Sequence, residues 1–438
     1  MENFFFCARN IEDYLTPLID ATDKKIVDLQ NKNLMMTRDV QNFFQSVMKK
    51  HLGREKYFEL PISNEIVTGI DGLKLDFNYG LRMEIPKGDW RVRISDADSG
   101  LVFMEGKISD KRLCSLETYF IRWSVEIFHG GTKIFSHTLN LQNKPVKISV
   151  PMIGIGDVIS MLPYIERFRE RNGCKIFVKM REDLIPFAMY LYPKIFNGEN
   201  EGGYYATYYP SMPTDVIPVW QIDFRNFPMG RMIGVMLGLN EIVPNRQFEP
   251  TTAPLIREPY VCISVQGSET RKSWLYPNGW DVVVDYLKSL GYRVLCIDRD
   301  AELEDDLGKV CKPAAAEDFT GNIPLMERAN MIFYADFFIG LSSGLSWLAN
   351  AVSCPVVLIC GFSQDWSEFY TPYRVANRLV CGGCFNDVRV NYMQKKCPYH
   401  RGTEREFECQ KKISPNQVIS AIERLIVDYQ LEPPVLGA

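Results

Sequence analysis

The chain has 438 residues, 46% of them hydrophobic and 24% charged, with a net charge of −4. This length exceeds one ordinary core and calls for two or three domains, and the apolar content argues for a folded chain over disorder. A slightly negative balance gives no basic field for DNA or RNA, so no nucleic-acid partner is expected.

The amino terminus, MENFFFCARNIEDYLTPLID, has no basic segment ahead of its apolar run, and Arg9, Asn10, Glu12 and Asp13 cut that run short, so it does not read as a signal peptide. No window reaches the ~18 uninterrupted apolar residues of a membrane span. A cytoplasmic protein is expected, in a compartment where thiols stay reduced. Between residues 11 and 50, apolar positions recur at helical spacing (Tyr14, Leu18, Ile19; Ile26, Leu29; Val40, Phe43, Phe44, Val47), which predicts two or three amphipathic helices in an extension over 1–55. Its expected role is a packing or oligomer arm.

From residue 57 to 150 the texture changes to short alternating runs such as LRMEI, WRVRI and TKIFSHTLNL, separated by turn residues. They predict a small antiparallel β domain over 56–148 with about six to eight strands. After residue 150, Val- and Ile-rich strands alternate with helices, which predicts an α/β fold of parallel sheets built from βαβ units. One Rossmann-like half is expected over 149–254 and a second over 255–375, with a ligand cleft at the carboxyl ends of the strands. A C-terminal helix is expected over 413–438.

Three loops in these halves carry chemistry. In GIGDVI, glycines allow a sharp turn after a strand and leave Asp157 at the crevice edge, where a carboxylate serves as a general base or as a helix cap. In QGSETRKSWLYPNGW, Gly267, Ser268 and Thr270 suit a tight loop and Arg271 and Lys272 supply cations for a phosphorylated ligand; a solvated surface loop is the competing reading. In IGLSSGLSWLANAV, Ser342, Ser343 and Gly344 make the turn into a helix that begins at Leu345, and free amides there suit a diphosphate. Asp298, at the end of the strand VLCID, serves either a nucleoside ribose or a cap.

These loops, in this order, resemble the heptosyltransferase family of GT-B glycosyltransferases: GDVISMLP at 156–163, RKSWLYP, and SSGLSWLANAVSCPVVLICG. Ser342 and Trp347 stand where that family usually has Asp and His, which sets the chain apart from the simple lipopolysaccharide-core enzymes. SSGLSWLA, EFYTPYRV, GDWRVRISDADSG and a CxxC with two later cysteines are more similar to the bacterial autotransporter heptosyltransferases, from about residue 57 to the end. The resemblance implies an acceptor-side first half and a nucleotide-sugar second half. It also implies transfer of heptose from ADP-heptose to serines of an autotransporter adhesin in the cytosol before export, by an inverting reaction without a catalytic metal, in a homo-oligomer that is dodecameric in this group. Asp157 and Lys272 would be catalytic, with Gly156, Thr270, Lys272, Asp298, Ser342, Ser343, Gly344 and Leu345 at the donor. A non-catalytic scaffold or chaperone of adhesin secretion, and a transferase using another nucleotide sugar, are the alternatives.

Cys381, Cys384, Cys397 and Cys409 gather in the segment 376–412, at spacings of two, 12 and 11 residues. Four thiolates so spaced can enclose one tetrahedral metal, and chemistry alone favours structural zinc while admitting iron. The resemblance implies a single iron in a finger-like insertion, with zinc as the alternative. His400 is expected at the surface, and a redox dithiol at Cys381 and Cys384 is the competing reading, against which Cys397 and Cys409 speak.

Overall fold

The computed structural model describes residues 4–7 and 60–434, apart from 116, 151–153, 211–224, 226, 306–307, 388 and 391–395. Of the expected N-terminal extension, the described part is a strand, β1 (Phe4–Cys7), which pairs antiparallel with β6 (Lys111–Ser115). The predicted helices over 11–50 lie outside the described residues.

The antiparallel strands are present, but they divide between two sheets. β4 (Trp90–Asp96), β5 (Val102–Ile108), β7 (Trp123–His129) and β8 (Thr132–Thr138) make a four-stranded antiparallel sheet in the order β5-β4-β7-β8. β2 (Lys74–Asn78) and β3 (Arg82–Ile85), with β6 and β1, extend the sheet of the first α/β half, which also contains β9 (Pro145–Ser149), β10 (Lys175–Lys179) and β11 (Ala206–Tyr208). The order is β1-β6-β3-β2-β11-β9-β10, with β2, β11, β9 and β10 parallel. Inward residues of both sheets, among them Val92, Val125, Leu75, Phe77, Val146 and Ile148, belong to one continuous core.

The partition turns on β2. Alternation in KLDFN reads as a half-buried strand, yet Asp76 and Asn78 are buried as well as Leu75 and Phe77. Arg82 makes this tolerable: its Nη2 lies 2.6 Å from the Asp76 Oδ2, and its Nε donates to Oδ1 at 2.8 Å. The amide of Ser63 and the Nδ2 of Asn78 also donate to Asp76, at 2.8 and 2.9 Å. A buried pair this well satisfied lets both faces of β2 be covered.

The second half is all parallel. β12 (Tyr260–Ile263), β13 (Arg293–Cys296), β16 (Glu317–Asp318), β17 (Phe337–Leu341), β18 (Val356–Ile359) and β19 (Arg374–Val375) stand in the order β16-β13-β12-β17-β18-β19. Taken in chain order this is 3-2-1-4-5-6, the doubly wound arrangement, with the reversal between β12 and β17. A hairpin that the alternation did not foresee, β14 (Glu302–Asp305) and β15 (Gly308–Cys311), stands beside the sheet.

Helices α1 (Ile155–Asn172), α2 (Ile185–Leu191) and α3 (Met229–Met236) belong to the first half, and α4 (Gly279–Ser289), α5 (Leu325–Phe333) and α6 (Gly344–Ala351) to the second. Residues of α5 and α6 pack on one face of the parallel sheet. The other face is covered by α4 and by α8 (Pro415–Asp428), which follows the short α7 (Glu408–Lys411) and opens with a Ser414/Gln417 capping box.

Asp76→Ala strips Arg82 of its buried counter-charge and is expected to cost about 3–5 kcal/mol. Denaturant unfolding checks it; a loss below ~1 kcal/mol, as for an exposed ion pair, contradicts the role given to this pair.

Candidate active site

The reversal point of the parallel sheet lies between β12 and β17, so the loops that follow these strands flank it. The first contains the lysine. After β12, residues 270–272 make a short 3-10 turn. The Thr270 amide donates to Asp305 at 2.8 Å and its hydroxyl to the Gly308 carbonyl at 3.4 Å, fastening the loop to the β14–β15 hairpin. A Cβ at Gly267 would stand 2.6 Å from that of Lys272, so only glycine lets the loop fold back this closely. Arg271 pairs with Glu269 at 2.9 Å, whereas the Lys272 ammonium makes no ion pair among the described residues.

The second loop leads from β17 into α6. Ser342 donates to Glu368 at 2.6 Å, and Glu368 in turn accepts from Ser363 at 2.7 Å and pairs with the buried Arg374 at 2.7 Å. Ser343 is the N-cap of α6, yet its side chain makes no capping bond, and its buried Oγ has no partner among the described residues. An unengaged hydroxyl beside free helix amides is the arrangement an anionic ligand completes.

Asp157 comes from the other half, in the first turn of α1. Burial lifts its carboxyl above the ordinary aspartate range, opposed by the Lys272 ammonium and by hydrogen bonds from the backbone of Gly154 and of Asp157 itself. The charge of Lys272, in the second half, is thus felt at Asp157, in the first. Two close approaches join the halves beside Asp157. A Cβ at Gly156 would lie 2.5 Å from Trp347 Cδ1, and a Cβ at Gly344 2.8 Å from the Ile155 Cβ, so α1 and α6 meet at their N-termini through glycine. Leu345, in the first turn of α6, is half-buried against the shared core. Gly156, Gly344 and Leu345 thus pack this junction.

Asp298 is engaged internally. It is buried, its carboxylate accepts from the Ser264 hydroxyl at 2.6 Å and the Val265 amide at 2.8 Å, and burial raises its pKa. Of the two roles expected for it, the structure displays the one that ties strand ends together. Glu368 escaped the sequence reading, although the stretch EFYTPYRV that contains it had stood out.

Cys381, Cys384, Cys397 and Cys409 line one cavity of about 40 Å³, together with Arg271, His400 and Glu408. His400 is thus part of the cavity wall and not the surface residue expected. Ligand atoms of Cys381, His400 and Glu408 lie within 4.8 Å of one another, while the other three sulfurs stand outside that tighter group. Glu408 is already committed: Arg405 donates to it at 2.6 and 3.0 Å and the Cys381 amide at 3.0 Å. Burial pushes the Cys384 thiol up to about 11, with Cys381 and Cys397 adding to the effect, and Cys381 and Cys409 are raised for the same reasons. The four thiols share one cavity wall with His400 and Glu408, and of the four only Cys381 belongs to the close donor group; thiol and imidazole are donors that suit a thiophilic cation once deprotonated.

Residues 69–131 match the family model described as glycosyltransferase TibC, N-terminal domain, and residues 235–395 match glycosyltransferase family 9 (heptosyltransferase). The chain is 42% identical over 370 residues to the autotransporter heptosyltransferase BAHTCr of Citrobacter rodentium, covering 82% of this chain and 90% of that one. It is 39% identical over 385 residues to the autotransporter heptosyltransferase TibC of Escherichia coli O78:H11, covering 85% and 94%. A crystal structure of TibC, described as an iron-containing dodecameric glycosyltransferase, superimposes with a TM-score of 0.79 at 37% identity over 84% of this chain and 100% of that one. A second TibC structure, with the same TM-score, is a complex with ADP-D-beta-D-heptose. The chain is also 31% identical over 383 residues to the inactive autotransporter heptosyltransferase BimC of Burkholderia thailandensis, covering 84% and 89%.

Gly156→Ala sets two effects against each other: alanine favours a helix by up to ~1 kcal/mol, and overpacking against Trp347 costs about 1–3 kcal/mol. Overpacking should win, and thermal unfolding should show a lower Tm. A raised Tm would mean that the α1–α6 junction is looser than the structure shows.

Proposed function

The chain belongs to the autotransporter heptosyltransferase family, and from that premise we propose that it transfers heptose from ADP-heptose onto serine hydroxyls of an autotransporter adhesin, in the cytosol before export. The observation that carries the reading is the junction of the α1 and α6 N-termini, which joins the two halves beside Asp157, with the Lys272 charge acting on that carboxyl. The first half takes the acceptor side and the second the nucleotide sugar.

The diphosphate of the donor sits at the first turn of α6, beside the Ser343 hydroxyl, which has no partner among the described residues, with the Lys272 ammonium on its other side. Ser342, held by Glu368, completes the turn. The serine oxygen attacks the anomeric carbon opposite the diphosphate; the C–O bond to ADP breaks, the new glycosidic bond forms with inversion, and the serine proton passes to Asp157. Lys272 and the helix N-terminus stabilise the charge that ADP takes away, so no catalytic metal is needed. An aspartate lifted by burial is the stronger base for this step. Because one relative is named inactive, membership alone does not carry turnover, and the reading leans on Asp157 and Lys272 as well.

Cys381, Cys384, Cys397 and Cys409 would hold one iron, with zinc the alternative that a tetrathiolate also suits. The ion would cross-link the segment and take no part in transfer. A homo-oligomer, dodecameric like TibC, is the proposed assembly.

Incubating the purified protein with ADP-heptose and an adhesin passenger should add whole heptose residues to the passenger, read by intact mass. No transfer from ADP-heptose would favour the scaffold alternative. Asp157→Asn should lower the rate by ~10² to 10⁴ while ADP still binds. The carboxylate is the active form, so kcat/KM falls as pH drops through its pKa, and burial places that acid limb above the ordinary 3.8. Activity within a few-fold of the unmutated protein, or an unchanged acid limb in Asp157→Asn, would remove Asp157 as the base.

Cys409→Ser should release the metal and make residues 376–412 protease-sensitive, because binding free energy is folding free energy here. Elemental analysis and limited proteolysis read both. About one iron, or one zinc, per chain retained in the variant would contradict the four-cysteine site.

A further inference from the structure

The cysteine segment grips both halves of the molecule, and each grip lies next to a cysteine. Asn386, two residues after Cys384, donates from Nδ2 to the Arg225 carbonyl at 3.0 Å, and its Oδ1 accepts from the Gln364 amide at 2.8 Å and the Ser367 hydroxyl at 2.7 Å. The buried Arg225 guanidinium donates to the carbonyls of Asp387 and Val390 at 3.2 and 2.9 Å. Arg225 precedes α3, so this end of the segment holds the first half, the one that carries Asp157.

The other end holds the lysine loop. Gln410 follows Cys409 and is fully buried. Its Nε2 donates to the carbonyls of Arg271 and Lys272, both at 3.3 Å, and its Oε1 accepts from the Gly361 amide at 3.3 Å. The Gln410 carbonyl accepts from the Leu275 amide at 3.2 Å, and the Trp274 indole donates to the Ile413 carbonyl at 2.8 Å. One glutamine thus spans the turn that carries Lys272, and Cys397 and Cys409 lie between Asn386 and Gln410 along the chain.

We infer that Gln410 is a positioning residue for Lys272, through which the cysteine segment sets the lysine loop against the half that bears Asp157. This goes beyond a cross-linking role for the segment and rests on the reading of the lysine loop as the diphosphate site. Two carbonyls that converge on one buried amide cannot shift without leaving it unpaired, which costs about 1–3 kcal/mol, so the turn has one position while Gln410 is present. An apolar residue of similar length removes the grip without adding charge.

The test is a double-mutant cycle on ADP affinity, read by calorimetry on the full chain, with Lys272→Ala, Gln410→Met and the pair. Gln410→Met should weaken ADP about tenfold, with metal content and oligomer size unchanged. In the Lys272→Ala background it should add nothing, because its effect runs through the lysine; a merely structural loss would add in full. Unchanged ADP affinity in Gln410→Met, or full additivity, overturns the inference while leaving the diphosphate reading intact. Unchanged affinity in Lys272→Ala overturns the diphosphate reading itself, and the inference with it. Should Gln410→Met fail to fold, hydrogen exchange on the unmutated protein decides: stripping the metal with a chelator should speed exchange across residues 268–275, and unaltered exchange there overturns the inference.

Discussion

Two helices from different halves of the chain meet by their N-termini, and two glycines are what let them meet. Gly156 admits the indole of Trp347, which is also set edge-on to Phe369 at 5.2 Å, and Gly344 admits Ile155. Each helix brings the positive end of its dipole to the same place. The junction also sits where the parallel sheet reverses direction, so the carboxyl ends of β12 and β17 open onto it. Beside this junction burial raises the Asp157 carboxyl, and the Lys272 ammonium partly offsets that rise. Trp347, which departs from the pattern of the lipopolysaccharide-core enzymes, thereby gains a physical reason: it fills the space that Gly156 leaves.

Much of this was legible in the chain. Val- and Ile-rich runs with glycine-bearing turns gave the alternation of strand and helix, and residues at the carboxyl ends of strands are where chemistry in such sheets gathers. Asp157, Lys272 and the Ser342–Gly344 turn were singled out for that reason. What stayed hidden depends on partners distant in sequence. Asp76 and Asn78 look like outward-facing residues of an alternating strand until Arg82 is seen to satisfy them, and the edge of the first sheet could not be placed without that pairing. His400 was set aside because four thiols filled a metal's coordination, yet it lines the same cavity. Asp298 carried the pattern of a ribose ligand, and the amide and hydroxyl that occupy it belong to β12's neighbouring loop. Gln410 had no signal at all, being one glutamine among charged residues; its meaning lies entirely in carbonyls some 140 positions earlier.

The cysteine segment changes its meaning accordingly. From sequence it is a finger-like insertion around a metal. In the fold it reaches Arg225 at one end and the lysine loop at the other, and Arg271, the neighbour of Lys272, lines the thiol cavity. A metal that closes this segment is thus connected to the donor loop by a short chain of hydrogen bonds, without touching substrate.

The paired helix N-termini, with Lys272, are proposed to form the diphosphate site facing Asp157. A structure of this protein with ADP bound tests it most directly. The diphosphate should lie within hydrogen-bond reach of the amides at residues 344 and 345, with the Lys272 Nζ beside it and the vacant sugar position opening towards Asp157. A diphosphate bound elsewhere, with Lys272 and the start of α6 unengaged, would contradict it.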